Sequence, residues 1–160
     1  MNLTDLIGEQ TIELNLAPIT KSEAIESLVD IMVKAGKVPP ASRAGIIKAV
    51  KQREEVMTTG IGSGVALPHA KSKLVPELML AVARSRKPIE FDAVDGQPTD
   101  LFFLLLSRED TTGLHIQALA RLARLLRDDG FCQALRKAES PGEVFQIIAT
   151  QEKTHSLREI

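Results

Sequence analysis

Leu101-Phe102-Phe103-Leu104-Leu105-Leu106 is the stretch on which the fold turns. Successive side chains of a strand point to opposite faces, so six apolar residues in a row leave neither face for water. Such a run, extended here over Asp100 to Ser107, predicts a central strand covered from both sides. A second strand is predicted over Leu78 to Ser85, with Asp95-Gly96 and Pro98 marking a turn between the two. Upstream, Thr11 to Leu16 alternates as a strand, with Ile12, Leu14 and Leu16 on one face.

Helical patterns surround these strands. Leu3 to Ile7 reads as a short opening helix. Thr20 reads as an N-cap with Glu23 as its capping-box partner. Ala24, Ile25, Leu28, Val29 and Met32 then form a core-facing stripe that Gly36 ends. Pro39 and Pro40 break the chain before a helix over Ser42 to Gln52, which buries Ile46, Ile47 and Val50. Three more helices follow: Gly113 to Asp128, a shorter one near Phe131 to Lys137, and Pro141 to Glu152. Helices before, between and after strands predict an α/β layer structure. One domain over 1–152 accounts for the pattern, and the polar tail 153–160 is expected to be flexible.

Composition narrows the function. The chain has 160 residues, a hydrophobic fraction of 44% and a net charge of -1. With five Phe and no Trp or Tyr, the core is aliphatic and offers little for stacking nucleobases. A nearly neutral chain gives no electrostatic case for nucleic acid as a partner. Cys132 is the only cysteine, so an internal disulfide is excluded and a reducing cytoplasm is the expected compartment. No apolar run reaches the roughly 20 residues of a membrane span, and the N-terminus shows no secretory signal. Membrane insertion is not expected.

The candidate site is Thr58-Thr59-Gly60-Ile61-Gly62-Ser63-Gly64-Val65-Ala66-Leu67-Pro68-His69. Alternate glycines predict a loop of exposed amides, and Pro68 fixes the backbone just before His69. An imidazole held on a rigid strand end beside such a loop suits a nucleophile that handles an anion. From Val56 to Pro76 there is no Asp or Glu, and Lys71 and Lys73 follow the histidine. His115 falls in the first turn of a predicted helix, where free amides and the helix dipole favour a phosphate. Taken alone, His115 reads more readily as a partly buried core histidine on a stripe with Ala118, Leu119 and Leu122. Arg53, taken alone, reads as a solvated helix residue.

Arg53-Glu54-Glu55 followed by Thr59-Gly60-Ile61-Gly62-x-Gly64-Val65-Ala66-Leu67-Pro68-His69 resembles the phosphorylation site of fructose/mannitol-type IIA proteins of the bacterial phosphotransferase system. The resemblance runs from about Leu3 to Glu152 and is nearest the stand-alone nitrogen-regulatory branch. It implies a mixed sheet flanked by helices on both faces. It implies that His69 accepts a phosphoryl group on Nε2 from a phosphohistidine carrier protein, with no cofactor. It also implies that His115 and Arg53 assist, and that the nitrogen branch has regulatory protein targets, potassium transport and sensor kinases among them. Thr59, Gly60, Gly62, Gly64 and Pro68 are the expected phosphate-binding or positioning residues. The alternatives are a sugar-specific IIA that passes phosphate to a IIB protein, and a binding module without transfer.

Competing motifs fail on their details. A dinucleotide fingerprint needs Gly where Val65 stands, and a strand before the loop where a helix is predicted. No Gly-Lys-Ser/Thr follows the glycines. Ser63 is flanked two residues away by Ile61 and Val65, not by the glycines of a hydrolase elbow. Three scattered histidines and one cysteine give no zinc spacing.

Overall fold

The computed structural model describes residues 1–18 and 20–158, with side chains as far as residue 155. Six strands form one mixed sheet: β1 (Ile12–Leu16), β2 (Gly60–Gly62), β3 (Val65–Ala66), β4 (His69–Lys71), β5 (Met79–Ile89) and β6 (Thr99–Ser107). The path across the sheet is β1-β5-β6-β3-β2, with β4 also paired to β6. β5 runs antiparallel to β6, whereas β3 and β4 run parallel to it. β6 is therefore the inner strand the sequence demanded.

Its two faces serve two separate cores. Phe102, Leu104 and Leu106 pack with residues of α1 (Lys21–Lys34) and α2 (Arg43–Val56). Leu101, Phe103 and Leu105 pack under α3 (Thr112–Leu125), α4 (Asp129–Lys137) and α5 (Pro141–Arg158). The result is an α/β fold with helices on both faces of a mixed sheet. Burying both faces of one strand makes each of its six apolar residues contribute to a hydrophobic core.

Local signals act as their chemistry requires. The Thr20 hydroxyl accepts from the Glu23 amide at 3.1 Å and starts α1. Ala24, Ile25, Leu28, Val29 and Met32 are buried along the stripe. The Asp128 carboxylate caps α4 by accepting from the Phe131 amide at 3.2 Å.

Five expectations change. Leu16 does not share a face with Ile12 and Leu14, because the β1–β5 register shifts between Glu13 and Leu16 and sends Leu16 into the α1–α2 core. The opening helix is a short 3-10 turn, Leu3–Asp5, with a second at Glu9–Thr11. The Glu152 carboxylate accepts from the amides of Leu3 (2.7 Å) and Thr4 (3.2 Å), and this cap fixes the turn. β5 runs on to Ile89 and α2 to Val56, each beyond the expected end. Finally, α5 continues through Arg158, past the boundary drawn at Glu152; residues 159 and 160 of the expected tail lie outside the described residues.

Candidate active site

His69 opens β4 and pairs with Leu105 of β6, near the carboxyl end of the central strand. Pro68 cannot donate to the ladder, so the β3–β4 edge breaks there. Its carbonyl still accepts from the Leu105 amide at 3.0 Å and holds the chain beside β6. This hydrogen bond ties the residue before His69 to the central strand.

The ring of His69 is anchored on its own backbone. Nδ1 lies 2.7 Å from the Leu67 carbonyl oxygen. A carbonyl can only accept, so Nδ1 carries the proton and the neutral ring keeps its lone pair on Nε2. Burial lowers the ring's pKa below 6.5 and Arg53 lowers it further, against opposing pulls from the Leu67 carbonyl and Glu54. The Nδ1 hydrogen bond leaves Nε2 free.

His115 lies beside it. The two ring centroids are 5.5 Å apart at an interplanar angle of 60°. His115 is 4% exposed, in the first turn of α3, and its Nδ1 is 2.6 Å from the Ser107 hydroxyl oxygen. Burial, then His69 and Lys71, push its pKa down to about 4. The ring is therefore neutral at physiological pH.

Arg53, His69 and His115 line one depression of about 410 Å³, together with Ala49, Ala70, Lys71 and Leu119. Arg53 is held at the end of α2 by donating from Nη1 to the Met57 carbonyl at 2.9 Å. Lys71 shares a side of β4 with His69 and approaches Thr112 of α3 at 3.5 Å. A larger depression of about 550 Å³ borders Lys21, Lys51, Glu54 and Thr58. It contains no histidine, and its cations are paired, Lys21 with Glu54 (3.0 Å) and Lys51 with Glu26 (3.7 Å). The smaller depression is the one equipped for chemistry.

The glycines and Thr59 do not join it. Gly60 to Ala66 is a tight hairpin, not an open loop: β2 pairs with β3 through a two-residue turn in which Ser63 (φ 57°) and Gly64 (φ 79°) are both left-handed. The Gly60 amide donates to Thr58 Oγ1 and the Gly60 carbonyl accepts from Val94. The Gly64 carbonyl accepts from Asp100 and Leu101. Gly60 and Gly62 are buried, so neither offers the exposed amide that was expected. Close approach explains the residue type: a Cβ on Gly60 would sit 2.9 Å from Ala93 Cα, and one on Gly64 2.6 Å from an Arg136 nitrogen. Thr59 is committed too, since its amide (2.8 Å) and hydroxyl (2.5 Å) both donate to the buried carboxylate of Glu54. These residues set the path into β3 and β4 and do not line the depression.

One neighbour of the site escaped the sequence reading, and another was read there only as a charge. Ser107 looked like the last residue of a strand, and only the fold brings it to His115. Lys71 was visible as a nearby charge, but its place in the depression follows from its pairing with β6.

The unusual protonation of His115 has a measurable consequence. Between pH 4 and 6.5 the unfolded chain binds a proton on this residue that the folded protein refuses. Stability from this group is complete above pH 6.5 and declines as pH falls toward 4, by about 3 kcal/mol over the window. Urea titrations at several pH values are expected to show a flatter pH dependence for His115→Ala than for the wild type. Parallel curves would rule this out.

Fold and depression together define a class: an α/β domain presenting two close histidines and a guanidinium near the carboxyl end of its central strand. The chain belongs to the phosphoenolpyruvate-dependent sugar phosphotransferase system EIIA 2 family, which matches residues 5–151. It is 36% identical over 149 residues to the nitrogen regulatory protein of Bradyrhizobium diazoefficiens, covering 93% of this chain and 95% of that protein. It is 35% identical over 153 residues to the fructose-specific EIIABC component of Bacillus subtilis, covering 96% of this chain but 24% of that longer protein. Among solved structures, nitrogen regulatory protein IIA-Ntr of Neisseria meningitidis matches with a TM-score of 0.84 and 29% identity, over 91% of this chain and 98% of that one.

Proposed function

We propose that this phosphotransferase-system component is a histidine phosphocarrier acting in the cytoplasm, with His69 Nε2 as the acceptor atom. The observation that carries the reading is the 2.7 Å contact of Nδ1 with the Leu67 carbonyl, which dedicates Nε2 to attack. The donor is a phosphohistidine carrier protein. Nε2 supplies its lone pair to phosphorus in line, the N–P bond of the donor breaks, and the donor's ring nitrogen leaves with that bond's electron pair. The positive charge that develops on the His69 ring is spread through Nδ1–H to the Leu67 carbonyl. Little covalent work is required of the protein, so positioning and charge stabilisation dominate.

Arg53 and Lys71 supply positive charge where the phosphoryl oxygens would lie, and His115 supplies a neutral donor. Thr59, Gly60, Gly62, Gly64 and Pro68 act at one remove, by fixing the backbone that presents His69. Among the described residues no helix is long and apolar enough to cross a membrane.

The regulatory, nitrogen-branch role draws support from the solved IIA-Ntr structure that overlays this fold. Phosphorylation would add close to two negative charges at the depression, enough to change which regulatory partner it meets. A sugar-specific role, passing phosphate to a IIB protein, remains the second reading because the fructose-specific relative is as similar as the nitrogen regulatory one. Incubation with phosphoenolpyruvate and the upstream carriers tests the carrier function by mass. One added phosphoryl group, labile in acid and stable in base, is the expected product. In the same assay His115→Ala is expected to reach the same mass but exchange phosphate about a hundredfold more slowly. Unchanged exchange would remove His115 from the mechanism.

A further inference from the structure

Ser107 ends the central strand with a fully buried side chain. Its backbone is engaged in the sheet, where it pairs with Lys71 and its carbonyl accepts from the Ser72 amide at 2.9 Å. The hydroxyl lies 2.6 Å from His115 Nδ1, and among the described residues neither atom has a second hydrogen-bond partner. Between a hydroxyl and a neutral imidazole, either group is able to donate.

Accounting for the protons separates the two arrangements. If Nδ1 donated to Ser107, the hydroxyl hydrogen would be left inside the protein with no acceptor. A buried donor without a partner is costly. If Ser107 donates, its hydrogen is satisfied on Nδ1 and only spare lone pairs on oxygen go unused. The His115 proton is then on Nε2. His115 also lines the depression that holds His69.

We propose that Ser107 is a positioning residue for phosphoryl transfer: by donating to His115 Nδ1 it fixes the tautomer in which Nε2–H is available to a phosphoryl oxygen above His69. The two imidazoles are thereby set in complementary states. On His69 a carbonyl takes the Nδ1 proton and frees Nε2 as a lone pair. On His115 a hydroxyl supplies the proton to Nδ1 and leaves Nε2 as a donor. A nucleophile and an electrophilic helper from the same residue type follow from two different buried partners. Ser107 never touches the phosphoryl group in this scheme. The groups facing His115 from neighbouring elements are His69 and Lys71 of β4, both of which favour a neutral ring, and Arg53 of α2, which lines the same depression.

The inference deepens the phosphocarrier reading, and its first test does not depend on that reading. Long-range proton–nitrogen correlation spectra of the unphosphorylated, histidine-labelled protein report which nitrogen of each ring bears hydrogen. His115 is expected to show a bare Nδ1 and a protonated Nε2, with His69 showing the reverse. A protonated Nδ1 on His115 overturns the proposal, whether or not His69 accepts phosphate. Conversely, a protein with this tautomer that gains no phosphoryl group overturns the carrier reading and leaves only the Ser107–His115 hydrogen bond and its tautomer standing.

A second test uses Ser107→Ala. Its spectra are expected to show the pKa of His115 moving up, since the bond favouring the neutral ring is gone, and phosphoryl exchange slowing about tenfold. Ser107→Thr keeps a hydroxyl at the position and is expected to restore the titration and tautomer of His115. A Ser107→Ala protein that folds, with His115 titrating as in the wild type, would show the serine to be mere packing.

Discussion

His69→Ala is expected to abolish phosphorylation outright: after incubation with phosphoenolpyruvate and the upstream carriers its mass stays that of the unmodified chain. No other side chain in the depression replaces the lost atom. His115 is the nearest imidazole, with ring centroids 5.5 Å apart, but its Nδ1 is bonded to Ser107 and its Nε2 is assigned the proton. Arg53 and Lys71 are cations and have no lone pair to offer. The substitution removes a half-buried ring at a strand end, so the fold should persist, and circular dichroism with urea titration checks that it does. A phosphoryl group appearing on a folded His69→Ala protein would transfer the nucleophile to another residue and end the assignment. Retention on the wild type, acid-labile and base-stable, completes the comparison.

Phe102→Ala is expected to give the largest loss of stability, about 3–5 kcal/mol. Phe102 is wholly buried on the α1–α2 side of β6, and its ring meets Phe91 edge-on with centroids 5.5 Å apart. Its strand neighbours in register are Ala66 of β3 and Ala83 of β5. Small residues on both sides cannot swell to fill the space, so the cavity term should be near its upper range. Domains of this size are stable by about 5–15 kcal/mol, so the variant would forfeit about a fifth of that at the least. The urea midpoint should fall with little change in slope. At low temperature the folded fraction should still accept phosphate on His69, since Phe102 lies outside the depression. A midpoint within experimental error of the wild type would mean that the core has another centre.

Much of this molecule could be read from the chain because its decisive patterns are local. Six apolar residues in β6 fix an inner strand, and their alternation assigns Phe102 and Phe103 to opposite cores before any contact is known. Thr20 and Glu23 mark the start of α1 within four residues. What escaped depends on partners far along the chain. The spacing of Gly60, Gly62 and Gly64 is the same for an open loop and for a tight hairpin; Asp95 and Arg136 decide between them. The Asp95 carboxylate accepts from the Ser63 amide at 2.9 Å and Arg136 donates to the Ser63 carbonyl at 2.7 Å. The slip in β1 that turns Leu16 over is a property of pairing with β5, and periodicity within six residues is blind to it. In the candidate site, His69 was legible through its motif and His115 through its helix start. Ser107 was not, because a serine at a strand end has no signature until the partner across from it is known.

The group that orients His69 is an oxygen of the main chain, and every amino acid carries that oxygen. No codon change at Leu67 can delete it, so the state of the proposed acceptor ring is insulated from mutation at the very position that sets it. The helper ring depends on a side chain and enjoys no such insulation. Sequence drift in this protein should therefore erode the speed of exchange, through residue 107, well before it erodes the capacity to be charged.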